Sequence, residues 1–177
     1  MVDPTHALTR ALVVRAQNGD AEAFGELIGD HYDLIHRTAW KWCGNRADAE
    51  DIAQDVCVKL GAAIKGFDHR SAFSSWVYRI TLNAVRDLQR AGKRRGKYVD
   101  AYAQVSPEEQ PAEQEEAATN GQLWKAVRTL PEKQRDAVLL VYAEELSHAA
   151  AAEIMGIKEA TVSFHVHEAR KTLRGLL

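Results

Sequence analysis

Apolar residues recur along this chain three and four positions apart, which predicts helices almost throughout. After a frayed start, Gly19-Asp20 opens a helix carrying Phe24, Leu27, Ile28, Ile35, Ala39 and Trp42 inward until Gly44 closes it. A second helix begins at Asp48 as its cap and buries Ile52, Ala53, Val56 and Leu60 before ending near Gly66. A third runs over about residues 71–91 with Trp76, Val77, Ile80, Ala84 and Leu88 inward. No alternating strand of useful length is present.

The pattern then lapses. Residues 96–119 lack apolar periodicity and hold Pro107, Pro111 and a Glu/Gln/Ala-rich run, the composition of a linker. Periodicity returns at residue 120 with Leu123, Val127 and Leu130, Pro131 punctuates, and a helix with Ala137, Val138, Leu140 and Val141 follows. The expectation is an all-α chain of two small helical domains, residues 1–95 and 120–177, joined by a flexible acidic linker over 96–119.

Residues 146–166 read as a helix-turn-helix, the unit that places a helix in a DNA major groove. Ser147 is the expected N-cap of the first helix, Ala152 keeps its centre thin, and Gly156 supplies the left-handed residue that ends it. The second helix starts near Lys158. Its stripe of Val162, Val166, Ala169 and Leu173 turns Phe164, His167, Glu168 and Lys171 outward.

Charge sharpens this picture only when taken locally, because the formal net charge of the 177 residues is just -2. From Arg79 to Lys97 the charged residues are Arg79, Arg86, Asp87, Arg90, Lys93, Arg94, Arg95 and Lys97, whereas from Asp100 to Glu116 all are acidic. Arg79, Asn83, Arg86 and Arg90 are spaced four, three and four apart, one line on the third helix suited to a phosphate backbone, with Asn83 able to face a base edge. Phe67, His69, Phe73, Trp76 and Tyr78 interleave aromatic rings with this basic stripe, as unstacked bases require. The second helix is the opposite. Asp48, Glu50, Asp51 and Asp55 crowd its start, and Asp51 and Asp55 form a like-charge i, i+4 pair that either a cationic partner or Lys59 would relieve.

Other chemistry is thin. Cys43 and Cys57 have no metal-ligand or redox-motif spacing, and packing is their default role. His31 and His36 are five apart and His165 and His167 two apart, so neither pair forms an i, i+4 metal site. There is no phosphate-binding glycine loop or nucleophile elbow, so no catalytic residue, metal or cofactor is expected. No signal peptide or membrane-length apolar run is seen, which makes a reduced cytoplasmic protein without membrane insertion the default.

Four segments in order resemble the extracytoplasmic function sigma factors of bacterial RNA polymerase, of the sigma-70 family. They are residues 48–56, residues 67–90 with Trp76, Tyr78, Arg79, Ile80, Asn83, Asp87 and Arg90, residues 130–135, and residues 146–173. The resemblance implies a sigma-2-like domain for the minus-ten promoter element, a sigma-4-like domain for the minus-thirty-five element, and no enzymatic activity. It implies that Asp48, Asp51, Gln54 and Asp55 dock on the clamp helices of the polymerase largest subunit, with the flap of the second-largest subunit a further partner.

By the same resemblance the loop of residues 67–72, with Phe67, His69, Arg70 and Ser71, takes a flipped base of the non-template strand, with Asn83 beside it and Trp76 and Ile80 structural, while Arg79, Arg86 and Arg90 continue the stripe along the minus-ten DNA. Lys158, Thr161, Ser163, Phe164, His167, Glu168 and Lys171 fall to the minus-thirty-five element. The sequence departs from the family at Ser163, Phe164, His165 and Glu168, where small or basic groups are usual, and Ala149, Ala150 and Ala151 replace bulkier residues. The resemblance further implies a tether running toward the active-site and RNA-exit channel, an anti-sigma factor and a stress response. A regulator with the same helix-turn-helix and an unrelated sensor domain would account for residues 120–177, but for neither the Arg79 stripe nor the acidic helix.

Overall fold

The computed structural model describes residues 4–99 and 115–175, and among them every regular element is helical. The chain forms two compact units, Met1–Arg86 and Asp87–Leu177. The backbone described at either end of the 96–119 segment is helical, and residues 100–114 lie outside the described residues.

The first unit opens with α1 (Pro4–Gln17), where the sequence pattern suggested only a frayed start. Leu12, Val13 and Ala16 are buried while Leu8 and Val14 are exposed, so the apolar stripe is blurred although the helix is docked. α2 (Ala21–Cys43) begins as expected, with the Asp20 carboxylate accepting from the Ala23 N–H, and Gly44 closes it at φ 81°. That cap, with the Arg15 guanidinium 2.7 Å away, holds the Asp20 carboxyl below the ordinary carboxylate range.

α3 (Arg46–Ala63) starts earlier than the pattern suggested. Asn45, not Asp48, is the N-cap: its side-chain oxygen accepts from the Asp48 N–H at 2.7 Å, so Asp48 lies in the first turn. The two side chains are also hydrogen-bonded to each other. α2 and α3 pack through Leu27, Ile35, Ala39, Trp42, Ile52, Val56 and Leu60, all buried. Gly61 permits the close approach of Phe24, whose ring a Cβ there would meet at 3.3 Å.

A short 3-10 turn, Ile64–Gly66, leads to α4 (Phe73–Val99). Its deepest face is Phe73, Val77, Thr81, Leu82 and Val85, with Trp76, Ile80 and Leu88 half-buried beside it. The side chains of Lys93, Arg94, Arg95 and Lys97 lie outside the described residues.

In the second unit α5 (Glu115–Thr129) is followed by α6 (Glu132–Val138), which starts after Pro131 and runs into a π-helical turn, Leu139–Ala143. Asp136 is fully buried with Arg135 beside it, Nε to Oδ1 3.8 Å. α7 (His148–Met155) and α8 (Glu159–Arg174) are the two helices of the expected helix-turn-helix. Ser147 accepts from the Ala150 N–H, and Gly156 at φ 66° ends α7. Val162, Val166 and Ala169 bury the inner face of α8 against α6 and α7.

Candidate nucleic-acid interface

The apolar stripe of α3 faces α2, which leaves Asp51, Gln54 and Asp55 exposed and Asp48 half-buried beside its cap. The Lys59 ammonium sits 2.8 Å from Asp55, so the like-charge pair is relieved internally, and Arg46 similarly holds Glu50 at 2.9 Å. Both are exposed i, i+4 pairs, worth a few tenths of a kcal/mol and readily exchanged for an outside partner.

On α4, Arg79, Asn83 and Arg90 are exposed and Arg86 is half-buried. Arg86 donates to the Asn83 side-chain oxygen at 3.1 Å, which orients the amide and leaves its NH2 donors and one oxygen lone pair for an outside partner. With the guanidiniums of Arg79, Arg86 and Arg90 beside it, the stripe is mainly a donor surface. Arg90 lies 3.9 Å from Asp87.

The loop before α4 differs from the sequence expectation in its aromatic residues. Phe67, Phe73 and Tyr78 are buried, and Phe67 packs against Phe73, Trp76 and His69 with ring centroids 5.0–5.6 Å apart. His31 from α2 meets the Phe73 edge at 5.0 Å. These rings satisfy one another as core, so they do not offer open stacking faces. What the loop exposes is Asp68 and Arg70, with His69 and Ser71 partly covered. The Arg70 N–H and guanidinium both bond Asp68, at 3.1 and 2.6 Å, which holds the Asp68 carboxyl below its usual range.

Gln17, which sequence reasoning passed over, fixes this loop. Its amide nitrogen donates to the Ile64 and Phe67 carbonyls at 3.0 and 2.8 Å, and its oxygen lies 3.0 Å from His69 Nε2. With the amide donors so engaged, His69 donates from Nε2 to that oxygen. His69 sits at φ 58°, a left-handed conformation uncommon outside glycine, and this bond helps to hold it there. Thr9, Arg10, Val13, Phe67, His69 and Ser71 line a small cleft of about 90 Å³ between α1 and the loop.

On α8, Ser163, Phe164, His167 and Lys171 are exposed as expected, with Phe164 59% accessible. Glu168, expected outward, is half-buried, as is Thr161, and Lys158 is the exposed N-cap. Elsewhere, burial pushes the Cys57 thiol up, which disfavours its thiolate, and the Cys43 thiol donates to the Asn45 carbonyl at 3.3 Å.

Two family models match the chain, Sigma-70 region 2 over residues 27–95 and Sigma-70 region 4 over residues 120–173. The ECF RNA polymerase sigma factor SigW of Bacillus subtilis is 31% identical over 92% of this chain and 92% of its own length. SigE, an ECF RNA polymerase sigma factor of Mycolicibacterium smegmatis, is 30% identical over 99% of this chain and 70% of its own length. Among solved structures, the sigma factor RpoE of Bartonella quintana in complex with the anti-sigma factor NepR superposes with a TM-score of 0.69 at 25% identity, covering 86% of this chain and 95% of that one. CnrH in complex with the cytosolic domain of CnrY gives 0.70 at 25% identity, over 96% of both chains. With sigma regions 2 and 4 in order, and a relative matched over nearly its whole length, the chain belongs to the extracytoplasmic function sigma factors, promoter-recognising transcription initiation factors of RNA polymerase.

Proposed function

We propose that two domains divide the work of initiation, residues 1–95 holding core polymerase and the minus-ten element, residues 120–177 the minus-thirty-five element, and residues 96–119 tethering them. The acidic face of α3, Asp48, Asp51, Gln54 and Asp55, docks on the clamp helices of the largest subunit, and the second unit meets the flap of the second-largest. The protein acts in the cytoplasm as a non-catalytic factor. An anti-sigma factor restrains it, a reading supported by the structural likeness to RpoE, which was solved with one.

The observation that carries the minus-ten assignment is the exposed donor stripe of Arg79, Asn83 and Arg90 on the helix that follows the pinned loop of residues 67–72. A flexible lysine-rich face would attract phosphate equally well. A guanidinium-oriented amide beside an ordered loop suits a base held at a fixed distance from its backbone. His69, Arg70 and Ser71 present the loop, while Phe67 forms its floor. Asn83→Ala is expected to leave core affinity intact and reduce open-complex formation by about 5- to 150-fold, the range of one base contact of ~1–3 kcal/mol. Permanganate reactivity of unpaired thymines measures it, and undiminished opening would remove Asn83 from the site.

In the second unit α8 reads the minus-thirty-five element with Lys158, Thr161, Ser163, Phe164, His167 and Lys171, and Glu168 at the edge of that face. Phe164 is a large apolar ring left 59% accessible, a shape that thymine methyls would cover. Phe164→Ala should relax minus-thirty-five preference by ~1–3 kcal/mol at one or two positions in a promoter-library selection. An unchanged library profile would mean that the ring reads no base.

A further inference from the structure

Ser163 stands on the outward face of α8, and its hydroxyl touches two groups of the protein. His148 Nδ1, on the first turn of α7, lies 2.8 Å from its Oγ, and the Glu159 carbonyl one turn back lies 3.3 Å away. A serine hydroxyl has one hydrogen and two lone pairs. If His148 carries its proton on Nδ1, that N–H donates to Oγ and the serine hydrogen goes to the Glu159 carbonyl, a bond that helical serines commonly make. If His148 is protonated on Nε2 instead, the serine hydrogen goes to Nδ1. In either tautomer, and in the imidazolium, the hydroxyl hydrogen is used inside the protein and only lone pairs remain for an outside partner.

We propose that His148 fixes Ser163 as a hydrogen-bond acceptor, so that α8 selects, on the DNA strand whose base edge Ser163 meets, a base that presents a donor in the major groove: adenine through N6 or cytosine through N4, rather than their pairing partners on that strand. Guanine offers N7 and O6 and thymine offers O4 there, all acceptors that would face the Ser163 lone pairs. A serine free to rotate donates or accepts and discriminates little. The bridge spans the two helices of the motif, and it lines an open cleft of about 450 Å³ that Arg170 and Arg174 also line, so the oriented hydroxyl has cationic neighbours suited to the adjoining phosphates. His148 is thus a positioning residue, and the inference rests on α8 reading the minus-thirty-five element.

The test is a minus-thirty-five promoter-library selection by the full chain with core polymerase, comparing Ser163→Ala, His148→Ala and the double variant with the natural protein. The natural protein should favour adenine or cytosine at one position by about fivefold or more, the lower range of a base contact. Ser163→Ala should flatten that position. His148→Ala should admit guanine and thymine there while other positions keep their preference, and it should add nothing in the Ser163→Ala background. His148→Gln, whose amide can donate to Oγ, should restore part of the selection. If His148→Ala lowers transcription evenly across the library and leaves the adenine or cytosine preference in place, His148 merely braces the fold and the proposal is overturned, though α8 still reads DNA. Crosslinking from a Ser163→Cys variant assigns the strand and position that residue 163 meets, and a guanine or thymine preference on that strand overturns the proposal equally. If Ser163→Ala changes no position at all, what fails is the assignment of Ser163 to a base edge, and the proposal falls with it.

Discussion

Reversing the acidic face of α3, with Asp51→Arg and Asp55→Arg together, is expected to weaken binding to core polymerase by about tenfold to a thousandfold, ~1.4–4 kcal/mol. Both side chains are exposed, whereas Ile52, Ala53 and Val56 beneath them are buried and untouched, so the helix keeps its docking against α2. The internal cost is small. Asp55 loses its 2.8 Å pair with Lys59, and an arginine there meets Lys59 as a like charge at i, i+4, together on the order of 1 kcal/mol at a surface. A cationic partner would instead meet two repelling charges in place of two attracting ones, which slows association and reverses its salt dependence. Competition against another sigma factor for core, with thermal unfolding measured in parallel, separates the two effects. A variant that folds normally and competes undiminished would move the docking site off α3.

The parts of the fold visible in the sequence are those fixed by local chemistry. Ser147 and Gly156 mark α7 because a short hydroxyl side chain and a residue tolerant of positive φ do their work within one turn, and both sit where the pattern placed them. α1 was not visible, since its buried Leu12, Val13 and Ala16 adjoin an exposed Leu8 and Val14. The start of α3 was misplaced because Asn45 and Asp48, three apart, are both competent caps, and only the direction of the hydrogen bond between them decides.

The candidate site divides in the same way. A stripe such as Arg79, Asn83 and Arg90 follows from helical geometry alone, and so does the outward turn of Phe164. Trp76 faces inward as its spacing predicts, but spacing does not reveal that Phe67 and Phe73 pack against it and fill one another's surfaces instead of standing open to bases. Gln17 and the loop it holds are 47–52 residues apart, and His148 and Ser163 are 15 apart across a turn, separations over which no periodicity carries information.

Gln17→Leu is expected to abolish most promoter opening while core affinity survives. The leucine keeps roughly the volume but none of the three hydrogen bonds, so the Phe67 carbonyl and the His69 imidazole each lose a bond recorded at 2.8 and 3.0 Å. The Ile64 carbonyl still accepts from the Phe67 N–H, at 3.1 Å, so its loss is partial. A partly buried group left unsatisfied costs ~1–3 kcal/mol, which for a unit of this size lowers the melting temperature by several degrees, on the order of 4–8 °C per kcal/mol. The larger effect is on the loop. His69 relaxes from φ 58° toward an extended conformation once its acceptor is gone, and Arg70 and Ser71 move with it, away from the cleft against α1. His69→Gly separates the two causes, because glycine keeps the left-handed backbone without the imidazole and leaves both carbonyl bonds to Gln17 in place. Opening by the glycine variant should therefore exceed that of Gln17→Leu in the same permanganate assay. Should Gln17→Leu melt lower yet open promoters as well as the natural protein, the minus-ten strand takes its order from α4 alone and the loop is only a connector.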